Sequence, residues 1–246
     1  MHLRNFGINY NGDDFMICAA MLAGGIGSRL KQDKPKQFVN INHKPILVHS
    51  VETFLNVKEF DKIIVSSPKE FIDMTKDLMN NYFPKNDKIV VIEGGSTRNE
   101  TILNSIQYMK DQNCEKDSIL VTHDASRIFV SEKLIEESIK GSLEVGAASA
   151  VIPATDVIFE SKKEGQLTDI PLRKYLFHAQ TPQSFNIDKF LKIYEDLSED
   201  EIALLDEAMM LFYLRGANVK LFNGDQGNFK ITRPFDITLA ETIFKE

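Results

Sequence analysis

The sequence predicts an α/β protein with one mostly parallel, twisted sheet and helices on both faces. Three observations carry that prediction. Apolar runs of strand length alternate with helix-spaced apolar patterns from residue 16 to residue 153. The strand runs are nearly continuous in apolar residues, as strands buried on both faces read. The first run, MICAAML at residues 16–22, stops at a glycine-rich turn. This βαβα rhythm belongs to a Rossmann-like sheet of parallel strands linked by crossover helices.

Each element follows from its own pattern. Strands are expected at residues 16–22, 62–66, 88–92, 118–122 and 148–153, the fourth ending at His123-Asp124. Between them the apolar spacing predicts helices over residues 46–55, 71–82, 97–110 and 132–144. The rhythm breaks after Pro153. Residues 154–180 contain β-type stretches around Lys162-Lys163-Glu164-Gly165-Gln166, a good hairpin turn, and predict a projecting β-arm rather than a second domain. Helices near 187–196 and 206–215, strands at 219–222 and 229–232, and a last helix from Pro234 complete the chain. No internal repeat, low-complexity tract or interdomain linker divides it. Residues 1–15 read as a polar extension ahead of a single domain spanning 16–246.

Composition narrows the function. The 246 residues are 43% hydrophobic and carry a net charge of −7. An acidic balance argues against general binding to nucleic acid or anionic membranes, whose phosphates would be repelled. Cys18 and Cys114 are far apart and not in metal-ligand spacing, so a disulfide framework is not expected. The chain has no apolar run long enough for a membrane span, and its first fifteen residues lack the apolar core of a secretory signal. A cytoplasmic location is expected.

Ligands of such sheets sit outside the carboxyl ends of the strands. The loop after the first strand reads Ala23-Gly24-Gly25-Ile26-Gly27-Ser28-Arg29-Leu30, followed by Lys34-Pro35-Lys36-Gln37-Phe38. Its glycines let backbone N–H groups approach a phosphate. Arg29, Lys31, Lys34 and Lys36 add a cationic cluster to an acidic protein, which suits polyphosphate. The alternative is a tight strand-to-helix turn with solvated lysines. A P-loop is excluded because no Gly-Lys-Ser/Thr follows at its spacing. A dinucleotide fingerprint is excluded because Leu30 stands where a third small residue is needed.

These motifs, with Gly94-Gly95-Ser96-Thr97-Arg98, His123-Asp124, Asp169-x-x-x-Arg173, Gln180-Thr181-Pro182-Gln183 and Asn228-Phe229-Lys230-Ile231-Thr232, resemble the cytidylyltransferases that act on 2-C-methyl-D-erythritol 4-phosphate and on ribitol 5-phosphate. The resemblance runs from about residue 16 to residue 244. It implies in-line attack of a polyol phosphate oxygen on the α-phosphorus of CTP, with pyrophosphate leaving. Both reactants are anionic, so charge neutralisation and alignment dominate. By the same resemblance Ala23, Gly24, Gly25 and Gly27 cradle the triphosphate, Arg29 and Lys36 hold it, and Lys230 helps neutralise the α-phosphate. Gly94, Gly95 and Ser96, with the Thr101 hydroxyl, read the cytosine. The plainer reading of that loop, compatible with the first, is a turn whose Ser96 or Thr97 caps the next helix.

Asp124 can bind the nucleotide's Mg²⁺ directly or through water, with Asp225 a second candidate. The alternative for Asp124 is a capping or ion-pair role, and His123 reads as structural. The resemblance assigns Arg173, Asp156 and Thr181 to the polyol phosphate, with Arg173 reaching it from the neighbouring subunit of a homodimer formed through the arm; on sequence alone Arg173 reads as a solvated loop arginine.

Two departures stand out. Arg127 is followed by Ile128 where the family has proline, and Asp156 is followed by Val157 where the family has a threonine that touches the substrate phosphate. The Gly24-Gly25 pair, Thr122-His123-Asp124 and, to a lesser degree, the Gln180–Gln183 setting resemble the ribitol branch. D-ribitol 5-phosphate, leading to CDP-ribitol for teichoic acid or capsule, is therefore the expected acceptor; methylerythritol phosphate is the alternative. Enzymes making UDP-, GDP- or dTDP-sugars share a similar first loop, but are not expected to carry the Pro-Lys-Gln-Phe and Asn-Phe-Lys-Ile-Thr pair at these distances. A non-enzymatic nucleotide-binding module would have no need of Arg29, Lys36 and Lys230 together.

Overall fold

The computed structural model describes residues 15–24, 35–114, 117–205 and 207–245. Its seven-stranded sheet contains β1 (Ile17–Leu22), β4 (Lys62–Ser67), β5 (Ile89–Glu93), β6 (Ile119–Asp124), β7 (Ala147–Pro153), β8 (Phe177–Asn186) and β9 (Lys220–Asn223), in the order β5-β4-β1-β6-β8-β7-β9. A two-residue hairpin of β2 (Asn40–Ile41) and β3 (Lys44–Pro45) stands apart. The β1–β4, β1–β6, β4–β5 and β7–β9 pairings are parallel, and β8 alone runs against both of its neighbours.

Alternation along each strand divides the core between the two faces of the sheet. Ile17, Ala19 and Met21 of β1 pack with Ile63 and Val65 of β4 under α1 (Ile46–Asn56) and α4 (Glu132–Val145), which supply Leu47, Val51, Phe54, Ile135 and Ile139. Cys18, Ala20, Ile64 and Leu120 point the other way. They meet Ile102, Ile106 and Met109 of α3 (Arg98–Asp111), Phe190 of α5 (Ile187–Glu195) and Phe212 of α7 (Ala208–Leu214). The remaining helices are α2 (Ile72–Tyr82), α6 (Glu199–Leu204) and α8 (Pro234–Ile243). Local chemistry sets several helix ends. Thr97 caps α3 and Ser131 caps α4, each accepting a backbone N–H with its side chain. Gly146 ends α4 at φ 100°, a conformation glycine adopts without Cβ strain.

Two expectations need correction, and one strand was not expected. Residues 229–232 are not a strand; Ile231 is buried, and its backbone N–H donates to the Ser126 carbonyl at 2.9 Å, so the segment is pinned across the end of β6 rather than added to the sheet. The excursion after β7 ends sooner than residue 180, because β8 begins at Phe177. Within it only two isolated bridges occur, Glu160 with Asp169 and Lys163 with Gln166, so it is a loosely paired arm. β8 is not among the expected strands of the sheet, since FHAQTPQSFN is polar and contains Pro182. Its second half is nevertheless fully buried. The register against β7 jumps from Ser149–Gln183 to Ala150–Gln180, so Pro182, which has no N–H to offer, falls at the irregularity. The polar side chains are satisfied in place, as where Ser184 Oγ donates to the Ser138 carbonyl at 2.6 Å.

β6 and β8 are also tied end to end. The Asp124 N–H donates to Thr181 Oγ1 at 3.0 Å, Thr181 Oγ1 lies 3.1 Å from His123 Nδ1, and His123 Nε2 lies 3.1 Å from the Arg127 carbonyl. A carbonyl only accepts, so Nε2 carries the proton and Nδ1 accepts from Thr181. Burial pushes His123 down from 6.5 to about 4, outweighing the Arg127 carbonyl and Asp124, so it is neutral. A depressed histidine contributes stability above its unfolded value and loses it as pH falls towards its folded value. The melting temperature should therefore fall between pH 6.5 and about pH 4. In His123→Gln, which keeps a donor and an acceptor but cannot titrate there, that dependence should be shallower whatever the starting stability. Parallel profiles for the two proteins by differential scanning calorimetry would exclude this origin.

Candidate active site

A cavity of about 380 Å³ opens at the carboxyl ends of β1 and β6 and is closed on the far side by the loop after β5. Leu22, Ala23 and Gly24 arrive from β1, and Asp124, Ala125 and Ser126 from β6. Gly95 to Arg98 and Thr101 face them, and Lys36, Gln37, Ile46 and Lys230 are the other described residues of the wall.

The glycine loop is held from behind. Gly94 N–H donates to the Ser67 carbonyl at 2.8 Å, Gly95 N–H to Thr101 Oγ1 at 3.0 Å, and Ser96 N–H to Glu100 Oε2 at 2.7 Å. Thr101 Oγ1 in turn donates to the Thr97 carbonyl at 2.9 Å. A Cβ on Gly95 would lie 2.1 Å from Glu100 Cβ and 2.7 Å from its backbone carbon, so only glycine permits this approach of loop to helix. Thr97, rather than Ser96, makes the helix cap. The Gly95 and Ser96 N–H groups are thus both engaged within the loop and the first turn of α3.

Opposite the loop lies a buried carboxylate among cations. Asp124 Oδ1 is 2.7 Å from Arg98 Nη1, and Oδ2 is 3.0 Å from Lys230 Nζ and 3.5 Å from Arg127 Nε. Burial alone would raise the Asp124 carboxyl; Arg98, Lys230 and Arg127 together outweigh it and hold the group well below the usual carboxylate range. Lys36, far from Lys230 in sequence, is brought to it: its Nζ donates to Ser126 Oγ at 2.8 Å and to the Ile231 carbonyl at 3.1 Å. Two buried donors on this wall, Gln37 Nε2 and Arg98 Nε, have no hydrogen-bond partner among the described residues. Such orphans are costly unless a ligand oxygen satisfies them.

The sequence-derived candidates separate clearly. Ala23, Gly24, Lys36, Gly95, Ser96, Thr101, Asp124 and Lys230 share the cavity. Gly94 supports the loop behind it. Arg29, Gly25 and Gly27 lie outside the described residues. Thr181 lines a smaller adjoining cavity. Asp225 is exposed and its Oδ1 accepts from Gly227 N–H at 2.7 Å, so its carboxylate serves its own turn. Asp156 and Arg173 sit in the exposed arm, where Arg173 Nη1 donates to the Thr155 carbonyl at 2.9 Å. Sequence reasoning quoted Arg98 and Arg127 but gave them no role; cations just after a glycine turn and three residues beyond a strand-end aspartate were the available signals. Ile128, in place of the family's proline, is buried with Ile41, Ile46, Ile231 and Ala240. The departure thus fills the small core beneath Lys230.

Among the described residues no cluster of three or more metal-type ligands exists. Asp124 is the one carboxylate on the larger cavity's described wall. That donor set fits a Mg²⁺ ion taking most of its ligands from nucleotide phosphates and water, and does not fit a protein-caged metal.

Comparison with known proteins agrees with this architecture. The sequence pattern of the 2-C-methyl-D-erythritol 4-phosphate cytidylyltransferase (IspD) family matches residues 17–246. The 4-diphosphocytidyl-2C-methyl-D-erythritol synthase of Anaerococcus prevotii superposes with a TM-score of 0.79 at 25% identity, covering 95% of this chain and 98% of that one. The 2-C-methyl-D-erythritol 4-phosphate cytidylyltransferase of Francisella tularensis gives 0.77 at 25% identity, over 92% of this chain and 99% of the other. The Thermus thermophilus protein, at 22% identity and a TM-score of 0.69 over 94% and 100% of the chains, shares the fold. The chain belongs to this family of CTP-using cytidylyltransferases and is a nucleotidyltransferase.

Proposed function

We propose that the protein transfers CMP from CTP to the phosphate of a polyol monophosphate. One observation carries the reading: Lys36, Lys230 and Arg98 converge on a cavity whose opposite wall is the Gly95–Ser96 loop. The cations suit a triphosphate, and the loop carbonyls suit a base that donates. Cytosine offers an exocyclic amino group there, whereas uracil offers an oxygen. In the reaction an acceptor phosphate oxygen attacks the α-phosphorus, a new P–O bond forms, and the bond to the β-phosphate oxygen breaks. Lys230 and Lys36 neutralise charge that accumulates as pyrophosphate departs. Arg98 adds positive charge to the same wall, and Asp124 holds Arg98 and Lys230 in place. Mg²⁺, held by Asp124 and the nucleotide's own phosphates, would neutralise further charge on the triphosphate. No covalent nucleophile is required.

For the acceptor, Gly24-Gly25 and Thr122-His123-Asp124 favour D-ribitol 5-phosphate. The printed activity of the solved relatives favours 2-C-methyl-D-erythritol 4-phosphate as the second reading. Pyrophosphate release with the four ribonucleotides, each against ribitol 5-phosphate, methylerythritol phosphate and glycerol 3-phosphate, tests the proposal. CTP with one polyol phosphate should dominate. Equal rates with ATP or GTP, or CTP turnover with none of the polyols, would sink it.

We also propose a homodimer with shared sites. The arm exposes Val157, Phe159, Leu167, Ile170, Leu172 and Tyr175, an apolar surface that a loosely paired ribbon does not cover itself. Pairing with the same arm of a second copy would bury it and carry Arg173 to the other subunit's cavity. Lys36→Ala should lower kcat about two to three orders of magnitude, roughly 3–4 kcal/mol of transition-state stabilisation. Mixing Lys36→Ala with Arg173→Ala subunits should then restore up to half of wild-type activity per heterodimer, because one site carries both defects and the other neither. No recovery on mixing, or a fully active monomer in sedimentation, would contradict the arrangement.

A further inference from the structure

The two lysines assigned to the transfer sit on separate segments of the chain, and those segments are tied together twice. On the cavity side the tie is Lys36 itself, whose Nζ donates to the Ile231 carbonyl at 3.1 Å. On the other side lies the small core of Ile41, Ile46, Ile128, Ile231 and Ala240.

Four rings run beside this core in a row. Phe229 lies 5.4 Å from Phe129, Phe129 5.2 Å from Phe244, and Phe244 4.9 Å from His49, centroid to centroid. At these separations ring pairs attract. At one end Phe229 immediately precedes Lys230, and Ile231 on the other side of the lysine is fully buried. The backbone that carries the ammonium is therefore held on both flanks. At the other end His49 Nε2 donates to the Ile41 carbonyl at 2.8 Å; a carbonyl only accepts, so that nitrogen carries the proton. Ile41 belongs to the β2–β3 hairpin, which directly follows the Lys36–Phe38 turn. α8 runs between the same two segments. Near its start Asp236 Oδ2 accepts from the Thr232 and Arg233 N–H groups at 2.7 and 2.8 Å; near its end Glu241 Oε1 accepts from the Asn42 N–H at 3.0 Å. Phe244, the residue just past α8, joins the two halves of the ring row. None of the four rings is on the described wall of the nucleotide cavity.

We infer that α8 and Phe244 form a strut that sets the distance between Lys36 and Lys230, and that Phe244 is a positioning residue for the transfer. It acts through Phe129 and Phe229 on one lysine, and through His49 and the β2–β3 hairpin on the other. The inference rests on the roles proposed above for the two lysines. Both ammonium groups must meet charge on one departing pyrophosphate, so a change in their separation weakens the transition state before it weakens binding.

The test is steady-state kinetics of Phe244→Ala in the wild-type and Lys230→Ala backgrounds. In the wild-type background kcat should fall by about one to two orders of magnitude, the scale of an ångström-size misplacement. KM for CTP and for the acceptor should stay nearly unchanged, as for an interaction made only in the transition state. Phe244→Tyr, which keeps the ring, should recover most of the loss. In the Lys230→Ala background the same substitution should cost much less, because part of what it misplaces is already gone. A folded Phe244→Ala protein with normal kcat would overturn the inference. So would an equal fold-loss in both backgrounds, which is what a smaller folded fraction produces, or a rise in KM for CTP that accounts for the whole loss in kcat/KM. Should Phe244→Ala fail to fold, Phe244→Leu, which keeps apolar bulk without the ring, is read in the same two backgrounds against the same outcomes. In each of these failures the role of Lys230 stands. A Lys230→Ala enzyme that turns over at the normal rate overturns that role, and this inference with it.

Discussion

The arrangement of the site depends on one buried carboxylate. Asp124 ends the central strand β6, almost out of solvent, and touches Arg98 from α3, Arg127 from its own loop and Lys230 from the segment before α8. A carboxylate placed there without partners would be protonated or would unfold its surroundings. With them it becomes a charge anchor that draws three separate parts of the chain to one point. The cations are then held in position before any ligand arrives, and pre-organised charge is the main resource for moving a phosphoryl centre between two anions.

The carboxylate is itself supported. Its backbone N–H is held by Thr181 from the reversed strand β8, and Thr181 is held by the neutral His123. β8 is thus more than a filler between β6 and β7. Its polar residues, which look out of place in a central strand, link the anchor on one side to Gln183 and Glu207 on the other. Ile128, buried with Ile231, packs the segment that carries Lys230. One strand end therefore has a polar support on one side and an apolar support on the other.

Much of this was legible in the sequence because parallel strands buried on both faces leave a strong apolar signature. β1, β4, β6 and β7, and with them the half-buried edge strand β5, all lie within a residue or two of their expected bounds. The cavity was legible because strand-end loops are where such sheets bind ligands, and Gly95, Lys36, Asp124 and Lys230 lie together there. β8 was not legible, because its burial is satisfied by hydrogen bonds rather than by apolar side chains and its proline falls at a register shift. Residues 229–232 misled in the opposite sense: an alternating pattern can reflect one buried anchor, Ile231, without any ladder. Arg98 and Arg127 acquired roles only through Asp124, since a long-range ion pair leaves no local pattern.

The ionisation of Asp124 is the most direct measure of this account. Aspartate labelled with ¹³C at the carboxyl carbon, with Asp124→Asn for assignment, allows the group to be followed by NMR as pH is lowered in metal-free protein. The cation anchor predicts that the Asp124 resonance stays in its ionised position well below 3.8, down to the pH at which the fold is lost. A midpoint at or above 3.8 in the folded protein would mean that the three cations do not dominate this carboxylate, and the pre-organised site described above would not exist.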